Sequence, residues 1–142
     1  MNVNQSIIIS VMKKISTLIA FIVCCMMAFG QGVHFEDLTL DEALAKAKAE
    51  NKLVFMDCYT SWCGPCKWMA TEIFPQKEAG DYFNPKFISV KYDMEKGEGL
   101  KLKDKYKPSG YPTFFIIRPD GSIQHKMCGG RNLEATIARM EV

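Results

Sequence analysis

Two thiols stand three positions apart in Trp62-Cys63-Gly64-Pro65-Cys66, where the apolar run Leu53-Val-Phe-Met-Asp-Cys-Tyr59 hands over to a helical pattern. A helix start carries unpaired backbone N–H groups and the positive end of the macrodipole. A thiol held there loses its proton more readily, and the thiolate is the reactive form. Cys63 is therefore the expected nucleophile. Cys66, one turn further in, is near enough to attack a mixed disulfide on Cys63 and release the partner reduced. The chemistry this spacing points to is thiol–disulfide exchange.

Other residues fall at telling places around the pair. Asp57 stands five residues before Trp62, and Gly110-Tyr111-Pro112-Thr113 follows far downstream. Lys91 lies in the run Phe87-Ile-Ser-Val-Lys-Tyr-Asp93, and Gly129 closes the last strand-like segment. Together these resemble the thioredoxin superfamily, and in particular the extracytoplasmic thioredoxin-like thiol–disulfide oxidoreductases of bacteria. The resemblance covers roughly residues 33–142 and implies an α/β thioredoxin fold, with a central mixed sheet of four to five strands flanked by helices on both faces. It implies that Asp57 is a buried acid behind Cys66, with Lys91 tuning it, and that Tyr111-Pro112 is a cis peptide facing the thiols. Trp62, Gly64, Pro65, Tyr111, Pro112 and Gly129 then form the groove that docks the client. Read without the resemblance, Asp57 is a capping or turn aspartate, Lys91 an exposed strand lysine and Tyr111-Pro112 a surface turn.

An unpaired buried carboxylate is costly, so the Asp57 pKa should rise. Near Cys66 it is then suited to take that thiol's proton and return it. The resemblance implies no dissociable cofactor and no metal. The expected partners are client proteins bearing disulfides and a dithiol electron donor, a membrane-embedded thiol carrier. Gly64-Pro65 between the cysteines resembles reducing thioredoxins, at about −270 mV, whereas Gly110-Tyr-Pro-Thr113 resembles the loop of disulfide isomerases, at about −180 mV. The dipeptide borders both sulfurs, so reduction is the expected direction, with isomerisation beside it.

Export is written in the N-terminus. Met12-Lys-Lys14 opens a charged start, an apolar stretch runs from Ile15 to Ala28, and small residues stand at Ala28 and Gly30. That is the pattern of a secretory signal peptide, too short for the roughly 20 residues that span a bilayer. Residues 1–30 are expected to be the signal, cleaved after Gly30, with residues 1–11 an extension from an upstream start codon. The thioredoxin-like domain is then 31–142, periplasmic. A lipid anchor on Cys24 or Cys25 is disfavoured, because Val23 and Cys24 fill the places where such signals want a small residue.

With 142 residues, 48% of them apolar and 24% charged, the composition is that of one ordinary globular domain. The formal charge of +2 arises from Lys13 and Lys14 in the acid-free leader, so the body has no basic excess for nucleic acid. Outside the cytosol disulfides persist, and Cys58, Cys63, Cys66 and Cys128 allow three pairings. A single Cys63–Cys66 pair is expected, since C-x-x-C closes too small a loop to act as structural glue. Cys58 and Cys128 are then free, and Cys128 is expected to be a small buried apolar residue. The competing function is a chaperone for Cu(I) or zinc, using Cys63, Cys66 and Cys128 as soft ligands. His34 and His125 show no metal spacing with the cysteines.

The elements that must position these groups follow from pattern. Val33–Phe35 suggests a short strand, and Thr39-Leu-Asp-Glu42 has the capping-box spacing before a helix over 40–50. Lys52–Tyr59 shows no alternation, as expected of a central strand covered on both faces. The helix after the thiols should run to Phe74 and stop at Pro75, with Trp68 and Met69 as core or groove-rim residues, and a second helix over 76–83. Strands are expected at 87–93, 113–118 and 122–128, the last two joined by the turn Pro119-Asp-Gly121. Lys101–Tyr106 reads as a short helix whose lysines face solvent, and Asn132 caps a final helix through Leu133, Ile137 and Met140.

Overall fold

The computed structural model describes residues 5, 7–16 and 32–141. Contacts divide the chain into Met1–Gly30 and Gln31–Val142. In the first unit residues 7–16 are helical. Most of the expected apolar stretch, Cys24, Cys25 and the expected cleavage point lie outside the described residues. Among the described residues no helix is long and apolar enough to cross a membrane.

The second unit is built on a four-stranded sheet in the order β2-β1-β3-β4. Its strands are β1 (Leu53–Tyr59), β2 (Phe87–Asp93), β3 (Thr113–Ile117) and β4 (Ile123–Cys128). β2 runs parallel to β1, whereas β3 is antiparallel to β1 and β4 to β3. The expected strand over Val33–Phe35 reduces to one parallel bridge from Phe35 to Ser89. The segment is held instead by Asn84, whose side chain accepts from His34 N–H (2.9 Å) and donates to Gly32 O (3.0 Å).

The helices are α1 (Leu40–Glu50), α2 (Gly64–Trp68), α3 (Lys77–Lys86), α4 (Gly99–Tyr106) and α5 (Leu133–Met140). At the start of α1, Thr39 Oγ1 accepts from Glu42 N–H while Glu42 accepts from Thr39 N–H. Asn132 Oδ1 accepts from Ala135 N–H and caps α5. α2 runs straight into a π-helical turn over Met69–Ile73, closed by Phe74 N–H donating to Met69 O, and Pro75 follows. The widened turn was invisible in the sequence, which shows only a helix ending at the proline.

Two element ends differ from expectation for tertiary reasons. α3 continues past Phe83 to Lys86, because Asn84 is tied to the Gly32–His34 segment and Lys52 Nζ donates to Asn84 O at 3.1 Å. α4 starts at Gly99, two residues early, where the chain passes so close to Asp93 that a Cβ would lie 1.9 Å from its carbonyl oxygen.

The alternation of side chains along β1 places two cores. Val54, Met56 and Cys58 face α1 and α4, packing with Leu40, Ala43, Leu102 and Phe115. Phe55 faces the other way, into an aromatic cluster with Phe74, Phe83, Phe87 and Phe114. Asp57 shares the face of Phe55, two residues further along, and so comes to lie beneath the helix that begins at the cysteines.

Candidate active site

Cys63 is the residue before α2, in extended conformation, and its Sγ accepts from Cys66 N–H at 3.2 Å. Its own N–H donates to Thr60 O, which ties the motif to the end of β1. Pro65 occupies the first turn, where its missing N–H is one of the groups left unpaired anyway. Cys63 and Cys66 are joined as a disulfide with their Cα atoms 5.3 Å apart. In this oxidised state the two cysteines are 3% and 5% exposed.

Behind the pair, Asp57 is 5% exposed and its Oδ1 has no hydrogen-bond partner. Burial pushes its carboxyl up to about 7, with the charge of Lys91 pulling the other way. Lys91 is the register neighbour of Asp57 on β2, exposed, with its Nζ 5.5 Å from the centre of the Phe35 ring. Asp57, Cys66 and Lys91 line one cleft.

In front of the pair, the Tyr111–Pro112 bond is cis. Pro112 O accepts from Gly129 N–H at 2.8 Å, and Gly129 has φ +94°, a conformation that favours glycine. Gly130 approaches so closely that a Cβ there would sit 3.4 Å from Pro65 O and 3.3 Å from the Met69 side chain. Trp62, 65% exposed, meets the Tyr111 ring edge-on at 6.1 Å. These contacts bring the cis-proline loop, the glycine pair and the indole to the end of α2 that carries the cysteines. The arrangement is that of a cysteine pair with an acid behind it and an exposed face before it.

A family model described as thioredoxin-like matches residues 35–119. The chain belongs to the thioredoxin-like family. Among relatives of this thioredoxin-like protein, an H-type thioredoxin of Oryza sativa subsp. indica is 34% identical over 121 residues, covering 80% of this chain and 91% of that one. The solution structure of a candidate disulphide-isomerase from Bacteroides thetaiotaomicron is 39% identical with a TM-score of 0.68, covering 80% of this chain and 98% of that one. The oxidised C-terminal domain of DsbD from Neisseria meningitidis is 26% identical with a TM-score of 0.61, covering 77% of this chain and 97% of that one. The family's members are oxidoreductases, and the C-x-x-C pair their chemistry requires is in place in this thioredoxin-like chain.

Two of the sequence expectations for surrounding residues change. Cys128 is exposed, where a buried apolar residue was expected. It ends β4, an edge strand, and its Sγ would stand 3.4 Å from a Cβ at Gly110. Met69 is core and Trp68 beside it is exposed. Glu95, read from sequence only as one acid offsetting the nearby lysines, accepts from the indole Nε1–H of Trp62 at 3.0 Å. Its place two residues past β2 was the only signal. Ala70 and Gly130, which pack around the motif in space, carried none.

Cys58 is free and wholly buried, its thiol pushed well up by burial and then by the neighbouring Asp57 charge. Among the described residues, no three His, Cys, Asp or Glu side chains are grouped to hold a metal ion.

Proposed function

We propose that this protein is an exported thiol–disulfide oxidoreductase that reduces disulfides of client proteins through a Cys63–Cys66 cycle. The observation that carries the proposal is the pairing of a closed Cys63–Cys66 disulfide at a helix start with a buried, unpartnered Asp57 carboxyl lining the same cleft as Cys66.

In the reduced enzyme the Cys63 thiolate attacks a client disulfide. A Cys63–client S–S bond forms, and the client's other sulfur leaves as a thiolate that takes up a proton. Cys66 then gives its proton to the Asp57 carboxylate and attacks Cys63 Sγ. The second client sulfur leaves, accepts a proton, and the client has gained two electrons and two protons. The enzyme is left as the disulfide described above. A partner dithiol, presented by a membrane-embedded carrier, reverses these steps. A carboxyl poised at about 7 exists in both forms near neutrality, as an acid–base group must. Lys91 tunes that value through space.

Trp62, Gly64, Pro65, Tyr111, Pro112 and Gly129 form the docking groove. The exposed indole and the backbone of Tyr111 suit an extended client segment that adds as a strand. The direction follows from Gly64-Pro65 between the sulfurs. Residues 12–30 act as the export signal, with 31–142 the mature periplasmic domain. The likeness to a DsbD domain supports a place outside the cytosol.

Turnover of insulin disulfides by the metal-free protein, lost on Cys63→Ser, is the expected result. Stoichiometric Cu(I) or zinc uptake without turnover would establish the metal-chaperone alternative. A glutathione titration with a midpoint near about −180 mV, in place of about −270 mV, would overturn reduction as the main direction. N-terminal sequencing of the exported protein should begin at Gln31.

A further inference from the structure

Both tryptophans of the chain stand on the segment that carries the cysteines, and both are exposed, Trp62 at 65% and Trp68 at 42%. Trp62 is held in place, by Glu95 through its indole N–H and by the Tyr111 ring. Trp68 has neither kind of contact. Among the described residues its indole N–H has no hydrogen-bond partner, and its ring meets no other aromatic ring. Nor does the helix need it, since Cys66 and Met69 supply the buried side of α2 and of the turn that follows. Tryptophan is also only a middling helix former. A large apolar ring with an unused donor, left in water, has the chemistry of an interface anchor.

Gly64, Pro65 and Trp68 share one face of α2 by the three- and four-residue spacing of a helix, and all three are exposed. Gly130 lies against this face: a Cβ there would stand 3.4 Å from Pro65 O and 3.5 Å from Pro65 Cβ, as well as 3.3 Å from the side chain of Met69. The backbone of Gly129-Gly130 therefore leads from the cis-proline loop onto the stretch of helix that ends in Trp68. The cations next to these residues in the chain are Lys67 and Arg131. Both are exposed, and neither forms an ion pair among the described residues. Glu72, one turn beyond Trp68, is the acid on the same stretch.

We propose that Trp68 is a second anchor for the client, taking a large apolar side chain two positions from the client's reacting cysteine, with Arg131 drawing an acidic residue next to it. The register follows from the repeat of each chain. An extended segment turns every second side chain to the same face and covers about 7 Å in two residues. An α-helix rises about 1.5 Å per residue, which sets Trp68 about 7.5 Å beyond Cys63 along α2. A client cysteine that faces Cys63 thus has its second neighbour facing the indole. Trp68 touches no reacting atom in this scheme, so it sets specificity only.

Trp68 acts in this way only if Cys63 exchanges disulfides as proposed above, and the test separates the two. The probes are peptides of one sequence whose single cysteine carries thionitrobenzoate. Attack by Cys63 forms a Cys63–peptide disulfide and releases coloured thionitrobenzoate, read in stopped flow with the reduced full-length protein. Leucine two positions before or two positions after the cysteine should raise the second-order rate at least fivefold over alanine, at one of those placements. Leucine adjacent to the cysteine should change it less than twofold. Glutamate just beyond the favoured leucine should react at least threefold faster than lysine there. Trp68→Ala should bring the leucine preference within twofold of unity, Trp68→Phe should keep most of it, and Arg131→Glu should invert the charge preference. If the peptides react but the unaltered protein shows no leucine preference, or if that preference survives in Trp68→Ala, the anchor is overturned and the exchange reading stands. Equal rates for the glutamate and lysine peptides would overturn the role of Arg131. If no peptide releases thionitrobenzoate faster than with Cys63→Ser, the exchange reading falls and the anchor with it. Each preference is a ratio within one variant, so a uniform loss of activity leaves it readable, and a thermal melt checks each fold.

Discussion

The indole Nε1–H of Trp62 donates to Glu95 Oε2 at 3.0 Å, joining the residue before the nucleophile to the loop after β2. The same ring meets Tyr111 of the cis-proline loop at 6.1 Å, so one side chain links two loops of the proposed docking face. A hydrogen bond of this kind contributes about 1 kcal/mol net. Glu95→Ala should therefore raise KM for a protein client about fivefold and leave kcat near its original value. Glu95→Gln, which can still accept from the indole, should recover most of the loss. An equal effect of both variants in steady-state insulin reduction would show that the charge matters and the bond does not.

The proposed cycle gives Cys63 and Cys66 different tasks. Cys66→Ser should accumulate a covalent client adduct at Cys63, visible on a non-reducing gel and released by a small thiol. Cys63→Ser should trap nothing and should abolish turnover. Adducts on Cys66 in the Cys63→Ser variant would reverse the assignment.

The stability of the oxidised protein should fall as pH rises. The Asp57 carboxyl titrates at about 7 in the fold and from an ordinary 3.8 without it. Between these values the folded state binds more protons than the unfolded chain, so raising pH costs stability through that window and the loss persists above it. At 1.4 kcal/mol per pH unit the full cost is on the order of 4 kcal/mol at most. Melting at pH 5 and pH 8 should show a large drop for the unaltered protein and little for Asp57→Asn, which should be the more stable of the two at pH 8. A parallel drop in both would place the effect elsewhere.

Gly80 tests the packing of α3. Alanine is a better helix former than glycine by about 1 kcal/mol, which alone would stabilise. A Cβ at Gly80, however, would lie 2.4 Å from Gly32 O and 2.8 Å from Gly32 C, backbone atoms that cannot rotate aside. Overpacking of this kind costs about 1–3 kcal/mol, so Gly80→Ala should lower the melting temperature by several degrees. A rise would show that the Gly32 segment yields freely.

The two free thiols of the described residues should separate cleanly by labelling. In the oxidised native protein a maleimide should modify Cys128, which is exposed, and leave Cys58 untouched until denaturant is added. Peptide mapping reads both.

Much of this molecule was legible as a string of residues, because the signals involved are local. The helix start at the cysteines, the Thr39–Glu42 capping box, the turn at Asp120-Gly121 and the apolar run of β1 each depend on neighbours a few positions apart, where backbone preference and side-chain period decide. The tertiary structure decided what depends on which chain segments meet. It reduced Val33–Phe35 to a single bridge, because Asn84 captures that segment, and it carried α3 past Phe83 for the same reason. It exposed Cys128 at an edge strand, widened the helix after Trp68 into a π-turn, and set Glu95 against Trp62 across thirty-three positions. Above all it turned Asp57 to the face of the sheet that lies beneath the helix beginning at the cysteines. The type of a residue determines what proton or electron chemistry it can do, but the burial and solvent access that set it to work come from segments far away in the chain.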